Sequence, residues 1–223
     1  RTGRVGGLAD AIAARLPFPL TAGQENALQD IRGDLAQPAP MQRLLHGEVG
    51  AGKTLVALLA MATVVDSGGQ AALLAPTEVL AQQHFASITG MLGEFAQAGM
   101  LTGDAAGTQV VLLTGSMSAA ARKEALLKTM TGEAGIVVGT HALLNEKVQF
   151  ADLGLVVVDE QHRFGVEQRA ALLERGADNR RPHLLVMTAT PIPRTVAMTV
   201  FGDLDVTTLR ELPGGRAGIS TFV

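Results

Sequence analysis

Gly47-Glu48-Val49-Gly50-Ala51-Gly52-Lys53-Thr54 is the stretch of sequence that decides the fold. It follows the apolar pair Leu44-Leu45 and leads into a run rich in Ala, Leu and Val at 55–65. The predicted order is therefore strand, glycine loop and helix, which is the context of a phosphate-binding P-loop with the pattern G-x-x-x-x-G-K-T. Backbone N–H groups of such a loop point at an anion, and the helix start adds its positive dipole end. We predict a nucleoside triphosphate site here.

The lysine and threonine that close this stretch are predicted to carry its chemistry. Lys53 would reach the β- and γ-phosphates, and the Thr54 hydroxyl would ligate Mg²⁺. Gly47, Gly50 and Gly52 would let the backbone curl around the phosphates. The alternative is a glycine-rich turn that only leads the chain into a buried helix, and the complete pattern in this context favours the nucleotide site.

The composition is that of a compact globular chain. Its 223 residues are 47% hydrophobic and 17% charged, which is enough for one sizeable core or at most two small ones. The absence of cysteine excludes disulfides and thiolate metal sites. No apolar run of about eighteen residues is present, so no membrane span is expected. The net charge of −3 argues against binding a polyanion by bulk electrostatics, so any nucleic-acid contact should be local.

Short apolar runs alternate with helical segments along the chain. This alternation predicts an α/β fold with a mostly parallel sheet buried on both faces by helices. A Gly/Ala-rich segment at about 96–109 is interpreted as a mobile surface insertion, with a functional lid as the less favoured alternative. The predicted strands lie near 44–45 and at 71–75, 110–113, 135–138, 153–158 and 184–187. The predicted helices lie at 8–16, 21–35 and 55–65, from 77 onward, and from directly after Ser116 to Lys128.

Polar residues cluster directly after the predicted strands. Because ligands bind at the carboxyl ends of the strands in an open α/β sheet, all these segments map to one edge of one sheet. The segments are 47–54, 76–78, 114–116, 139–141, 159–162 and 188–190.

An acidic pair follows the apolar strand at 153–158. Asp159 would hold Mg²⁺ through water beside the P-loop threonine, and Glu160 would polarise the water that attacks the γ-phosphate. The alternative is an acidic pair that only caps the following turn.

Three motifs in this order resemble motifs I, II and III of superfamily 2 helicases and translocases: the P-loop, Asp159-Glu160-Gln161-His162 and Thr188-Ala189-Thr190. The segments at 76–81 and 139–141 resemble motifs Ia and Ib, and Leu20-Thr21 with Gln24 resembles the Q-motif. More narrowly, 159–166 and 187–195 resemble the RecG family of bacterial ATP-dependent DNA translocases. The transcription-repair coupling translocases are similar over the same stretches, although they usually carry Glu in place of Gln161.

The resemblance implies a RecA-like P-loop NTPase domain that uses ATP and Mg²⁺, with catalytic roles for Lys53, Asp159, Glu160, Gln161 and His162. Gln24 would recognise adenine, with Phe18 either stacking on the base or packing in the core. Gln161 and His162 would connect the nucleotide site to DNA and to a second lobe, and Thr188 and Thr190 would relay the state of the γ-phosphate. Arg122 and Lys123 would add charge for DNA or form a solvated helix face. The candidate DNA contacts are Thr77, Gln83, His84, Thr114, Gly115, Thr140 and His141.

The resemblance also implies a domain organisation. Residues 1–16 are interpreted as a connecting helix from a missing wedge domain, 17–213 as the first RecA-like lobe, and 214–223 as the start of a linker to a missing second lobe. The expected function is ATP-driven translocation on double-stranded DNA, with branch migration at replication forks and Holliday junctions, in the bacterial cytoplasm in association with the nucleoid. An isolated lobe is expected to be nearly inactive.

Two interpretations from other classes remain. A P-loop small-molecule kinase would share the stretch at 47–54 but should carry an Arg-rich lid and an acceptor pocket. A non-catalytic nucleotide-gated scaffold would keep the P-loop but would not need Glu160.

Overall fold

The computed structural model describes residues 7–48, 52–93, 107–145, 147–159, 181–189 and 204–209. The strands are β1 (Gln42–Gly47), β2 (Gln70–Leu74), β3 (Gln109–Leu113), β4 (Ala134–Gly139), β5 (Leu153–Asp159), β6 (His183–Thr188) and β7 (Asp205–Leu209). The helices are α1 (Leu8–Arg15), α2 (Ala22–Leu35), α3 (Lys53–Asp66), α4 (Glu78–Leu92) and α5 (Ala119–Thr131), with a short 3-10 helix at His141–Leu144.

The strands form one seven-stranded sheet in the order β3-β4-β2-β5-β6-β1-β7. Every pairing in it is parallel, so the carboxyl ends of all described strands lie at one edge. The predicted α/β fold with a parallel sheet is confirmed. The alternation of strand side chains divides the interior into two cores. On β5, for example, Leu155 and Val157 face the core covered by α1 to α4, whereas Val156 and Val158 face the core that contains Ala125 of α5.

The helix starts follow capping rules that the sequence carries. Thr21 caps α2, as predicted, and forms a capping box with Gln24. Thr77 caps α4, where its side chain accepts a hydrogen bond from the Leu80 N–H. Helix α5 begins at Ala119 and not directly after Ser116, because the Ser118 side chain accepts from the Ala121 N–H and so sets the first turn.

Strand β7 was absent from the sequence prediction. Its five residues, Asp-Val-Thr-Thr-Leu, show a largely exposed pattern and pair only with β1 among the described strands.

The predicted insertion at about 96–109 lies outside the described residues up to position 106. No helix of the described ranges is both long and apolar enough to cross a membrane.

Helix α1 is built into the core. Leu8 and Ile12 are fully buried, and the Asp66 carboxylate at the end of α3 accepts hydrogen bonds from the Leu8 N–H at 2.7 Å and the Ala9 N–H at 3.1 Å. Arg15 donates to the Leu92 carbonyl at 2.9 Å. Both ends of α1 are therefore attached to neighbouring helices. The predicted domain boundary between residues 16 and 17 stays a prediction.

Candidate nucleotide-binding site

The centre of the site is formed by three neighbouring strands, β5, β6 and β1. Asp159 is the last residue of β5, Thr188 the last residue of β6, and Gly47 the last residue of β1. Asp159 pairs in register with Met187, and Thr188 pairs with His46. Because neighbouring strands lie about 4.8 Å apart, the ends of β5 and β1 are about 10 Å apart with Thr188 between them. The structure thus brings these predicted site residues to the same place.

The P-loop geometry at the start of α3 depends on two glycines. Gly52 precedes the helix with a φ of 85°, a left-handed conformation that favours glycine. A Cβ atom added to Gly47 would lie 3.1 Å from Leu209 Cβ and 3.3 Å from Lys53 Cγ, so the glycine leaves room for the lysine stem. Gly50 lies outside the described residues.

Lys53 is the first residue of α3, and its ammonium group points back along the loop. Its Nζ donates to the Gly47 carbonyl and to the Glu48 carbonyl, the latter at 3.3 Å. Burial lowers the pKa of Lys53 from its ordinary value, and the negative charge of Asp159 acts in the opposite direction. Lys53 and Asp159 are therefore close enough to interact electrostatically, and their sharing of one phosphate and metal site stays a prediction. A partly buried cation that is held by carbonyl groups is a fitting partner for a phosphate anion.

The residues at this edge fit a nucleotide with Mg²⁺. Thr54 follows Lys53 and is partly exposed, and Asp159 is also partly exposed. Within the ranges that the structure describes, no group of three or more His, Asp or Glu side chains converges as a metal site. Phosphotransfer proteins bind Mg²⁺ with one or two protein ligands together with phosphate oxygens and water, and a hydroxyl and a carboxylate such as those of Thr54 and Asp159 are ligands of this kind.

The two residues predicted to recognise the base differ in their surroundings. Gln24 is 3% exposed, and its Oε1 accepts the Thr21 N–H at 3.0 Å while Thr21 Oγ1 accepts the Gln24 N–H at 3.1 Å. Its orientation is therefore set by the capping box. Phe18 is 58% exposed, so the structure does not show the core packing that was its alternative role. Adenine recognition by both residues stays a prediction.

Several predicted site residues cannot be placed. Glu160, Gln161, His162 and Thr190 lie outside the described residues. Their catalytic and relay roles stay predictions.

The candidate DNA contacts lie at the same sheet edge, after β2, β3 and β4. Thr77, Gln83, Gly115 and His141 are exposed there. By contrast, Thr114 is 2% exposed and Thr140 is 1% exposed, and the Thr140 hydroxyl accepts the Ala142 N–H at 3.4 Å. A phosphate would therefore meet the neighbouring exposed residues before these two hydroxyl groups. DNA contact by all of these residues stays a prediction.

Hydrogen bonds tie the loop after β3 to α4 and α5. Glu78, at the start of α4, accepts the Ser116 N–H at 3.1 Å and the Ser116 hydroxyl at 2.7 Å. Arg122 of α5 donates to the carbonyls of Thr114 at 3.0 Å and Gly115 at 3.1 Å. The guanidinium group is thus engaged in shaping this loop, which neither sequence interpretation of Arg122 anticipated.

His84 makes a contact that the sequence did not indicate. Its Nε2 atom lies 2.6 Å from Asp159 Oδ2, across 75 positions of the chain. The residue was predicted to contact DNA, yet in the structure its ring reaches the predicted metal-binding carboxylate.

Comparisons with known proteins identify the family and several relatives of this chain. Residues 21–199 match the family model described as DEAD/DEAH box helicase. An ATP-dependent DNA helicase RecG of Mycobacterium tuberculosis is 58% identical over 97% of this chain and 29% of that protein. The RecG of Aquifex aeolicus is 47% identical over 93% of this chain and 25% of that protein. The chain thus spans less than a third of the length of these curated relatives.

Solved structures give the same picture. A structure of RecG bound to a three-way DNA junction is 38% identical and superimposes with a TM-score of 0.78, over 97% of this chain and 27% of that one. The DNA-bound helicase MrfA, at 18% identity and a TM-score of 0.65 over 92% of this chain and 29% of that one, shares the fold.

Proposed function

Because this chain belongs to the DEAD/DEAH box helicase family, we propose that it is the ATP-binding motor lobe of a bacterial DNA translocase of the RecG type. The whole protein would couple ATP hydrolysis to translocation on double-stranded DNA, to regression of replication forks and to branch migration. The observation that carries this proposal is that Lys53, at the start of α3, and Asp159, at the end of β5, lie at one edge of an all-parallel sheet. The identity of 58% to a RecG over nearly the whole chain supports the narrower assignment over the transcription-repair coupling translocase.

Each residue has a defined task in this proposal. Lys53 neutralises the β- and γ-phosphates, while Thr54 and Asp159 hold Mg²⁺. Bound Mg²⁺–ATP would supply the β–γ phosphoanhydride bond whose hydrolysis provides the free energy for translocation. Glu160 takes the proton of the attacking water. Gln161, His162, Thr188 and Thr190 carry the state of the site to neighbouring segments, and Gln24 and Phe18 receive the base.

The partners in this proposal are branched DNA and further domains of the same protein. A RecG structure in complex with a three-way DNA junction supports branched DNA as the substrate class. The relatives are more than three times as long as this chain, which supports a second RecA-like lobe and a wedge domain beyond it. The protein would act on chromosomal DNA in the bacterial cytoplasm. Hydroxyl and backbone N–H groups would bind the DNA phosphates, and such contacts do not depend on the base sequence.

The proposal predicts how activity is divided between lobes. P-loop enzymes commonly need an arginine finger, which is worth about 10³–10⁵ in rate, and in this family it would come from the second lobe. The 223-residue chain should therefore bind ATP but hydrolyse it at least about a hundredfold more slowly than a chain extended through the second lobe on branched DNA. Steady-state ATPase measurements on both chains test this. DNA-stimulated turnover by the single lobe at the rate of the extended chain would refute it.

A catalytic role can be separated from that of a nucleotide-gated scaffold. Glu160→Gln in the extended chain should lower the ATPase rate by about 10²-fold or more while leaving ATP affinity unchanged, because only the general base is removed. Asp152→Asn is the matched control, since Asp152 is also an acidic residue beside β5 but lies at its opposite end. Full activity of Glu160→Gln would favour the scaffold.

A further inference from the structure

His84 connects the helix at the predicted DNA edge with the predicted metal-binding carboxylate. Its Nε2 lies 2.6 Å from Asp159 Oδ2, and the two side chains are 14% and 20% exposed. An ionised carboxylate only accepts hydrogen bonds, so the ring N–H is the donor. Partial burial strengthens such a bond relative to one in water. The contact is therefore a defined restraint on the carboxylate.

The position of His84 is set by the packing of α4. Ala81 and Ile88 are buried residues of this helix, and they lie three residues before and four residues after His84. Residues at these spacings share one helix face, so the imidazole is directed to the sheet along with the buried side chains. The ring cannot leave Asp159 without movement of the helix or a change of rotamer.

The restraint fixes the orientation of the Asp159 carboxylate. His84 engages Oδ2 of Asp159, and the carboxylate keeps further lone pairs for a metal. Carboxylates that bind metals are commonly oriented by such hydrogen bonds, and loss of the outer partner typically lowers metal affinity or activity about 10- to 100-fold. His84 thus belongs to the metal site although it is not itself a ligand.

The N-terminus of α4 is attached to the predicted DNA-contact loop that follows β3. Thr77 caps the helix, and Glu78 holds Ser116 through two hydrogen bonds. Glu78 and His84 are six residues apart, which is about 9 Å along a rigid helix axis. A displacement of the N-terminus of α4 therefore moves the imidazole relative to Asp159.

We infer that His84 is a positioning residue that orients Asp159 for Mg²⁺ and links DNA contact at the N-terminus of α4 to metal-dependent nucleotide binding. The inference rests on the proposed function, since it takes Asp159 as a metal-binding residue and α4 as part of the DNA surface. In this inference His84 acts through Asp159, and its direct contact with DNA stays a prediction.

Binding measurements on the 223-residue chain test the positioning role. A fluorescent ADP analogue is titrated in EDTA and in Mg²⁺, and Mn²⁺ binding to the nucleotide complex is followed by electron paramagnetic resonance. The variants are His84→Leu, which keeps bulk without a donor, and His84→Gln, whose amide N–H replaces the ring N–H. Ser87→Ala is the control, because Ser87 is an exposed residue of the same helix.

His84→Leu should weaken Mn²⁺ and Mg²⁺ binding in the nucleotide complex about 10- to 100-fold, while nucleotide binding in EDTA stays within about twofold of the parent chain. His84→Gln should recover most of the loss, and Ser87→Ala should show none. Unchanged metal affinity in His84→Leu would overturn the inference. So would an equal loss in EDTA and in Mg²⁺, since that is the signature of a structural role. A parent chain that binds no nucleotide at all would refute the proposed function, and with it this inference.

The link to DNA is tested by adding a three-armed DNA junction to the same titrations at low salt. In the parent chain the junction should change the Mg²⁺-nucleotide affinity by about fivefold or more, and the nucleotide should change the affinity for the junction by the same factor. In His84→Leu both effects should disappear while the junction itself still binds. The link is wrong if the parent chain shows no such effect, or if the effect persists in His84→Leu.

Discussion

At the scale of single residues, the partly buried ammonium group of Lys53 favours the binding of an anion at this site. Its ammonium group is partly buried against backbone carbonyls, and burial lowers its pKa. In the folded chain without nucleotide, the charged form is therefore less stable than that of a lysine in water. A phosphate group offsets this loss and gains a strong charge-assisted hydrogen bond. The cost of burying the cation is thus recovered when the ligand binds.

The lowered pKa of Lys53 predicts a specific pH dependence. Nucleotide affinity should decline as pH rises through the lowered pKa, before it reaches the ordinary lysine value of 10.5, because the ammonium charge is lost there. The unfolded chain keeps its proton up to the higher value, so the stability of the nucleotide-free chain should rise with pH over the same interval. Titrations of a fluorescent nucleotide and urea unfolding between pH 7 and pH 10.5 measure both effects.

Two variants serve as controls for this pH dependence. Lys53→Arg keeps its charge at alkaline pH, so the decline in affinity should be absent even if binding is weaker overall. Lys53→Met should abolish nucleotide-induced thermal stabilisation without lowering the stability of the free chain. An alkaline decline that is the same in Lys53→Arg and in the parent chain would assign it to another group.

The residue pairs differ in how far the sequence could predict them. The proximity of Lys53 and Asp159 followed from the rule that ligands bind at the carboxyl edge of a parallel sheet. The contact of His84 with Asp159 could not be predicted, since it joins residues 75 positions apart and depends on how α4 is rotated against the sheet. The contacts of Arg122 could not be predicted for a similar reason, because only the folded loop shows which carbonyl groups lie close to its guanidinium group.

At the scale of elements, the start of α3 depends on a glycine in a left-handed conformation. Gly52 has a φ of 85° immediately before Lys53, where a residue with a Cβ is strained. Gly52→Ala should therefore lower the free energy of unfolding of the nucleotide-free chain by about 1–2 kcal/mol. Urea unfolding measures the change through a shift of the midpoint at constant slope.

Gly33→Ala provides the matched control for this substitution. Gly33 lies inside α2, its backbone does not have a positive φ, and no atom lies within 4 Å of an added Cβ. Alanine there should raise stability by about 0.5–1 kcal/mol through helix propensity. Equal effects of the two substitutions would show that the conformation of Gly52 does not set the helix start.

The elements were predictable where their own sequence carried the signal. The buried strands β2, β4, β5 and β6 are continuous apolar runs, and α2 and α4 begin at threonine caps. Strand β7 had no such signal because three of its five residues are polar and most are exposed. Tertiary contacts stabilise it instead, since Arg43 donates to Thr207 at 2.8 Å and Thr207 donates to Asp30 at 3.1 Å. Such contacts arise only after β1 and α2 have come together.

At the scale of the whole molecule, two cores on either side of the sheet place every strand under strong packing constraints. One core contains buried residues from α1, α2, α3 and α4, and the other contains Ala125 of α5 with residues that follow β4. The sheet edge that carries the site is therefore backed by close-packed layers, and such layers transmit displacements instead of absorbing them. Under the proposed function, this rigidity would allow the nucleotide state to affect the predicted DNA-contact residues.

Helix α1 tests how far this core extends towards the N-terminus. Ile12 is fully buried and belongs to the core that includes the P-loop helix α3. Ile12→Ala should therefore lower the global free energy of unfolding by about 2–5 kcal/mol, as for other large core truncations. Leu127→Ala is the control, because this leucine is 53% exposed on α5 and its truncation should change stability by no more than about 0.5 kcal/mol. If α1 were only a loose connecting helix, Ile12→Ala would resemble the control, and urea unfolding with an unchanged slope distinguishes the two cases.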